Sequence, residues 1–131
     1  MIQKEYDLLL QDLSSRLPYL VKVFKRGNEK ISGHLVGIIG NRVTIFSSSR
    51  AIFEVNDIVP YLFPLYSMTK KQKEEFDALY WEAREKASDY SFDLMYSSIK
   101  SNWLYKNHFD VNGLIPLGLA KDATGLGIYG K

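Results

Sequence analysis

Tyr19-Leu20-Val21-Lys22-Val23-Phe24-Lys25-Arg26-Gly27-Asn28, and after it Ile31-Ser32-Gly33-His34-Leu35-Val36-Gly37-Ile38-Ile39-Gly40-Asn41-Arg42-Val43-Thr44-Ile45-Phe46, decide the fold of this 131-residue chain. In the first stretch Val21 and Val23 fall on one side and Lys22, Phe24 and Arg26 on the other. That is the period-two alternation of a half-buried strand. Gly27-Asn28 is a turn signal, and Gly40-Asn41 marks a tight hairpin. Ile31 to Ile39 is apolar on both faces and contains Gly33 and Gly37. Interior glycines in a strand predict a bulge or a sharp bend. Arg42 to Ser47 is a third strand, Ser47-Ser48-Ser49 a loop, and Ala51 to Val55 a fourth strand. Ile58 to Leu65 makes a fifth, interrupted by Pro60 and Pro64. Short, bent strands with tight turns over 19–66 predict a small SH3-like or Sm-like barrel; a bent, open antiparallel sheet is the alternative.

On the N-terminal side, Ile2, Tyr6, Leu9, Leu10 and Leu13 recur at helical spacing. They predict an amphipathic helix over 3–15, ended by Pro18. On the C-terminal side the period changes. Thr69-Lys70-Lys71-Gln72 has capping-box spacing. Phe76, Leu79, Tyr80, Ala83 and Ala87 form one stripe, and Phe92, Met95, Tyr96, Ile99 and Trp103 a second. The region 70–106 is therefore helical, either as one bent helix or as an αα-hairpin broken at 87–90, where Asp89 is a candidate cap. From 107 to 131 the chain is glycine-rich but retains Leu114, Ile115, Leu117, Leu119, Leu126 and Ile128, as an irregular tail packed onto the body would. The expected class is α+β in one domain.

Charge is unevenly spread along this plan. The 16–50 segment holds Arg16, Lys22, Lys25, Arg26, Lys30, Arg42 and Arg50 against the single acid Glu29, while the whole chain nets only +2. A basic β-segment suggests an anionic partner. Alternation groups Lys22, Phe24 and Arg26 on one strand with Arg42 and Phe46 on the next. Aromatics among cations are the composition of a single-strand nucleic-acid face. The competing reading packs Phe24 and Phe46 beneath the helices and leaves the cations as a solvated rim. Trp81 lies about 140° round its helix from Phe76, off the buried stripe, and is a candidate protein contact.

Other chemistry is sparse. With no cysteine, disulfides, thiolate catalysis and cysteine-bound zinc are excluded. His108 and Asp110 fit backbone bonding at a helix end better than a metal or an acid–base pair. Gly125-Leu126-Gly127 lacks the strand before and the helix after that a phosphate loop requires. No catalytic triad or paired-carboxylate layout stands out, so no enzyme, cofactor or metal is expected. No apolar run approaches the ~18 residues of a membrane span, and residues 1–7 lack a signal-peptide layout. The expected setting is the cytoplasm, without a membrane partner.

Two stretches carry a resemblance. Tyr61-Leu62-Phe63-Pro64-Leu65-Tyr66-Ser67-Met68-Thr69 is similar to a PYL-x-PLSSMT segment. Trp103-Leu104-Tyr105-Lys106-Asn107-His108-Phe109-Asp110-Val111-Asn112-Gly113-Leu114-Ile115-Pro116, continuing to Gly118-Leu119-Ala120 and Asp122-Ala123-Thr124-Gly125, resembles a WLNKNHFDYRGLI…GLA…DATG ending. Both patterns recur in small proteins encoded by phages and prophages of gut anaerobic bacteria. The similarity covers about a third of the chain and departs from the pattern at Val111-Asn112, where Tyr-Arg is expected. That family has no assigned activity, so no functional residue carries over. The resemblance implies a mobile-element setting in a host cell and a non-enzymatic interaction or assembly module. A protein partner or a homo-oligomer is favoured, with single-stranded nucleic acid the alternative.

Overall fold

A computed structural model describes residues 1–130; Lys131, the last residue of the expected tail, lies outside the described residues. The chain is α+β. Helix α1 (Gln3–Ser15) precedes five strands: β1 (Lys22–Lys25), β2 (Asn28–Ile39), β3 (Arg42–Phe46), β4 (Arg50–Glu54) and β5 (Ile58–Leu62). Helices α2 (Lys70–Lys86) and α3 (Phe92–Lys106) follow, and β6 (Lys121–Asp122) lies in the tail. The sheet order is β4-β3-β2-β1-β5-β6. Every pairing is antiparallel except β5 with β6, which is parallel.

Of the two expected architectures the sheet is the open one. Closing a barrel requires β4 to pair with β5. Instead a 3-10 turn, Val55–Asp57, carries the chain from one side of the sheet to the other, with the Val55 amide bonded to the Asn41 carbonyl. The bends expected from the glycines are present. Between Leu35 and Gly37 the β2–β3 register shifts, leaving Val36 as the extra residue of a bulge. At Gly33 a Cβ would sit 2.6 Å from the Phe46 carbonyl oxygen, so only glycine lets β3 approach that closely. Gly40 turns the hairpin at φ +61°.

The two faces of the sheet differ. Leu9 and Leu13 of α1 pack on the inner face against Val21, Val23, Leu35, Val43, Ile45, Ile58 and Leu62, and tail residues Leu114 and Leu119 complete that core. The tail then rounds the β5 edge through β6 and crosses to the outer face. There Ala123, Ile128 and Tyr129 cover Phe24, Val59 and Tyr61.

One buried ion pair ties the start of the tail to α1. Arg16 and Asp12, both fully buried, meet at 2.6 Å. Arg16 also donates to the Phe109 carbonyl at 2.7 Å, and the Asn112 amide donates to Asp12 at 2.8 Å. Asp110 accepts hydrogen bonds from the Leu114 and Ile115 amides, fixing the first tail turn as its type and position suggested.

The 70–106 region is an αα-hairpin. Thr69 and Gln72 form the expected capping box. Helix α2 ends as Ala87 turns extended, and Ser91, not Asp89, precedes α3. Asp89 instead accepts from Arg84. The helices meet through aromatic rings: Phe76 on Trp103, and Tyr80 on Phe92 and Tyr96. Helix α3 stops in a Schellman motif, with the His108 amide bonded to the Tyr105 carbonyl and the Phe109 amide to that of Leu104. His108 occupies the left-handed position, φ +64°, that glycine usually takes. Its ring stacks on Tyr129 at 3.8 Å, a contact glycine would forfeit.

Candidate interaction surface

Directly opposed residues of an antiparallel pair share a face, so the strand registers assemble the outer surface in rows. One row runs Arg50–Phe46–His34–Lys22 across four strands. The next is Ile52–Thr44–Gly37, and the third is Glu54–Arg42–Ile39. Among the described residues, the outer-face cluster that covers Phe24, Val59 and Tyr61 does not extend to these rows. Ile39 is 86% exposed, Ile52 65% and Phe46 44%. The result is an apolar patch bounded by Arg50 and Lys22 at one end. At the other end lies Arg42, with Glu54 at 3.8 Å. Helix α1 packs on the opposite side and supports this half from behind.

The five residues expected to form a basic aromatic face are divided by this geometry. Arg42 and Phe46 share the bare outer surface, and Lys22 lies half-buried at its border with the covered half. Phe24 faces the same way but is only 7% exposed, packed 4.8 Å from Tyr61 beneath the tail. Arg26 leaves the face altogether. The β1–β2 register shifts after Phe24, and the Arg26 side chain donates to the Asn56 carbonyl beside the 3-10 turn. The reading that buries both phenylalanines also needs correction: Phe24 is covered by the tail rather than by α2 or α3, and Phe46 is uncovered.

The basic tally changes too. Arg16 is no surface cation, because Asp12 neutralises it in the interior. Glu29, the one acid of the segment, is held by Lys121 and by the Tyr61 hydroxyl at 3.0 Å. Hydrogen bonds from these two groups, first Lys121, lower the Glu29 carboxyl below its ordinary range. Burial, with Glu29 as a second cause, raises the Tyr61 hydroxyl to about 12.

Ile39, Ile52 and Arg50 were not singled out as contacts from the sequence. For Ile39 the signal was the Gly40-Asn41 turn, which sets it opposite Arg42; for Arg50 and Ile52 it was the three-residue loop at Ser47-Ser48-Ser49. It fixes Phe46 opposite Arg50 and thereby sets every later pair of the β3–β4 hairpin.

Two other features stand apart from the sheet. Trp81 is 68% exposed on the hairpin, its ring edge-on to Tyr80 at 5.1 Å. A cavity of about 250 Å³ lies where the segments 61–69 and 103–125 meet, with Phe63, Phe109 and Tyr129 among its walls. Several of its polar side chains already bond within the protein: Thr69 with Gln72, and Asn107 with the Trp103 carbonyl. Among the described residues no three His, Asp or Glu side chains gather as a metal site would require, and no helix is long and apolar enough to cross a membrane.

Compared with protein-family models, curated proteins and solved structures, the chain matches none.

Proposed function

We propose that this protein is a non-enzymatic interaction module, of the kind a phage or prophage uses in assembly, and that it docks a protein partner on the bare half of its sheet. One observation carries this reading: Phe46 and Ile52 are exposed as diagonal neighbours on β3 and β4, with Ile39 exposed beyond Thr44 and Arg42, on a strand-built surface edged by cations. Exposed apolar side chains grouped on one face and rimmed by polar residues mark interaction sites. The charge around the patch sets the partner's chemistry. Lys22, Arg42 and Arg50 outnumber Glu54 on this face, so the complementary surface is apolar at its centre and acidic at its margin.

The same row of Arg50, Phe46, His34 and Lys22 keeps nucleic acid as the competing outcome. Burial of Phe24 removes one of the two stacking platforms that reading needs, which is why the protein partner is preferred.

The test is affinity capture from cells that express the protein, using wild type, Phe46→Ser, Ile52→Ser and Trp81→Ala. The expected result is a partner retained by wild type and by Trp81→Ala but lost with both sheet variants. Loss with Trp81→Ala alone would move the site to the helical hairpin. Salt-sensitive, micromolar binding of a labelled oligonucleotide that disappears in Arg50→Glu would replace the protein partner with a nucleic acid.

A further inference from the structure

We propose that β4 pairs with the β4 of a second copy of this chain, antiparallel and centred on Ile52, joining two sheets edge to edge. The inference stands on the strand's edge and its sequence, and is independent of what docks on the face.

Strand β4 is an outer edge of the sheet, bonded to β3 alone. Among the described residues no backbone group of 50–54 is hydrogen-bonded outside that ladder. An open edge is a template for another strand, and proteins that must stay monomeric blunt it with lysine, proline, a bulge or shortness. The opposite edge of this sheet is blunted: β6 is two residues long, Lys121–Asp122. Strand β4 has no lysine, proline or bulge, and its two charges, Arg50 and Glu54, stand at its ends. It reads Arg50-Ala51-Ile52-Phe53-Glu54, and its register with β3 is continuous throughout.

That sequence is complementary to its own reverse. A two-fold axis at Ile52 sets Arg50 of one copy opposite Glu54 of the other, Ala51 opposite Phe53, and Ile52 opposite itself. Both ion pairs and the isoleucine contact lie on the outer face, where Arg50, Ile52 and Glu54 are exposed. Glu54 also lies 3.8 Å from Arg42 of its own chain. A carboxylate has lone pairs enough for a second arginine, so the pairing leaves that contact in place.

Other registers are worse. A slip of one residue sets outer-face residues against inner-face ones. A slip of two sets Arg50 or Glu54 opposite Ile52 and loses both ion pairs. A parallel arrangement opposes like charges, Arg50 to Arg50 and Glu54 to Glu54. With the axis perpendicular to the sheet, the two bare half-faces lie side by side and double the surface available to a partner.

Charge reversal tests the pairing, because both side chains are exposed and neither supports the core. Sedimentation would be run on wild type, on Arg50→Glu, on Glu54→Arg, and on an equimolar mixture of the two variants. Wild type is expected to dimerise in the micromolar range. Each variant alone carries two like-charge pairs and should associate at least about tenfold more weakly. In the mixture every pair is complementary again, so a one-to-one heterodimer should return. A monomeric wild type, variants that dimerise as wild type does, or a mixture that stays monomeric would each overturn the pairing. A monomeric wild type that still captures a partner through Phe46 and Ile52 would leave the docking proposal standing.

Discussion

The outer face of this sheet has two halves made to the same pattern but finished differently. Over β1, β5 and β6 the tail has crossed from the inner face, and Ile128 and Tyr129 seal Phe24, Val59 and Tyr61. Over β2, β3 and β4, Phe46, Ile52 and Ile39 point the same way and remain uncovered. Strand alternation is clear in β1 of the covered half and in β3 and β4 of the bare one. What separates them is a segment about a hundred residues away in sequence. A period of two tells which residues share a face, but not whether that face is core or surface.

Phe24 and Phe46 break or sharpen the contrast most directly, being the same residue type on the same face. Phe24→Ala should cost about 3–5 kcal/mol of unfolding free energy, as truncation of a buried phenylalanine does. Phe46→Ala should stay within about 0.5 kcal/mol in dilute protein. Denaturant titration of both variants measures the difference, and equal costs would mean that both halves are covered.

The pair that holds the start of the tail comes next. Arg16→Ala strips Asp12 of its partner in the interior and releases the Phe109 carbonyl. A loss of about 3–5 kcal/mol is expected from the buried charge left behind. Replacing both residues, as Asp12→Leu with Arg16→Met, should restore much of the loss, because it removes the unpaired charge.

Tyr129 is a smaller lever on the covered half. Its hydroxyl donates to the Tyr61 carbonyl and accepts from the Lys22 amide, both at 2.8 Å. Tyr129→Phe keeps the ring but loses both bonds, for about 1–2 kcal/mol. Amide exchange should quicken at Lys22 while β4 is unchanged.

The covered half should also respond to alkaline pH. Burial raises the hydroxyls of both Tyr129 and Tyr61, the latter to about 12 from an ordinary 10.0. A raised value means the folded state holds its proton more tightly than the unfolded chain does. Stability is therefore fully present below pH 10 and declines as pH rises from there toward 12. Thermal melts across that window should show the decline, and Tyr129→Phe should make it shallower.

Much of this architecture was legible in the chain. Helix α1 follows from apolar spacing, the start of α2 from Thr69 and Gln72, and the β2–β3 hairpin and its bulge from Gly40 and Gly37. These are local signals. Three things were not legible, because each depends on a distant partner. Whether the sheet closes depends on β4 meeting β5, and no residue of either strand announces that. Arg16 looks like one more surface cation until α1 turns Asp12 toward it, although the four-residue spacing is that of a helical ion pair. The tail's parallel pairing with β5 joins residues about sixty apart. The candidate surface was half legible for the same reason: alternation grouped Lys22, Phe24, Arg42 and Phe46, and the tail then took Phe24 away.

Residue-resolved amide hydrogen exchange in dilute protein tests the central claim most directly, because it reports cover and edge together. Amides of β1 and β5 are expected to exchange only at the rate of global unfolding. The amides of β4 that point away from β3 are expected to exchange rapidly, and to slow as protein concentration is raised. Outward β4 amides as protected as those of β1 at the lowest concentration would contradict the account, since a bare half with a free edge would not then exist.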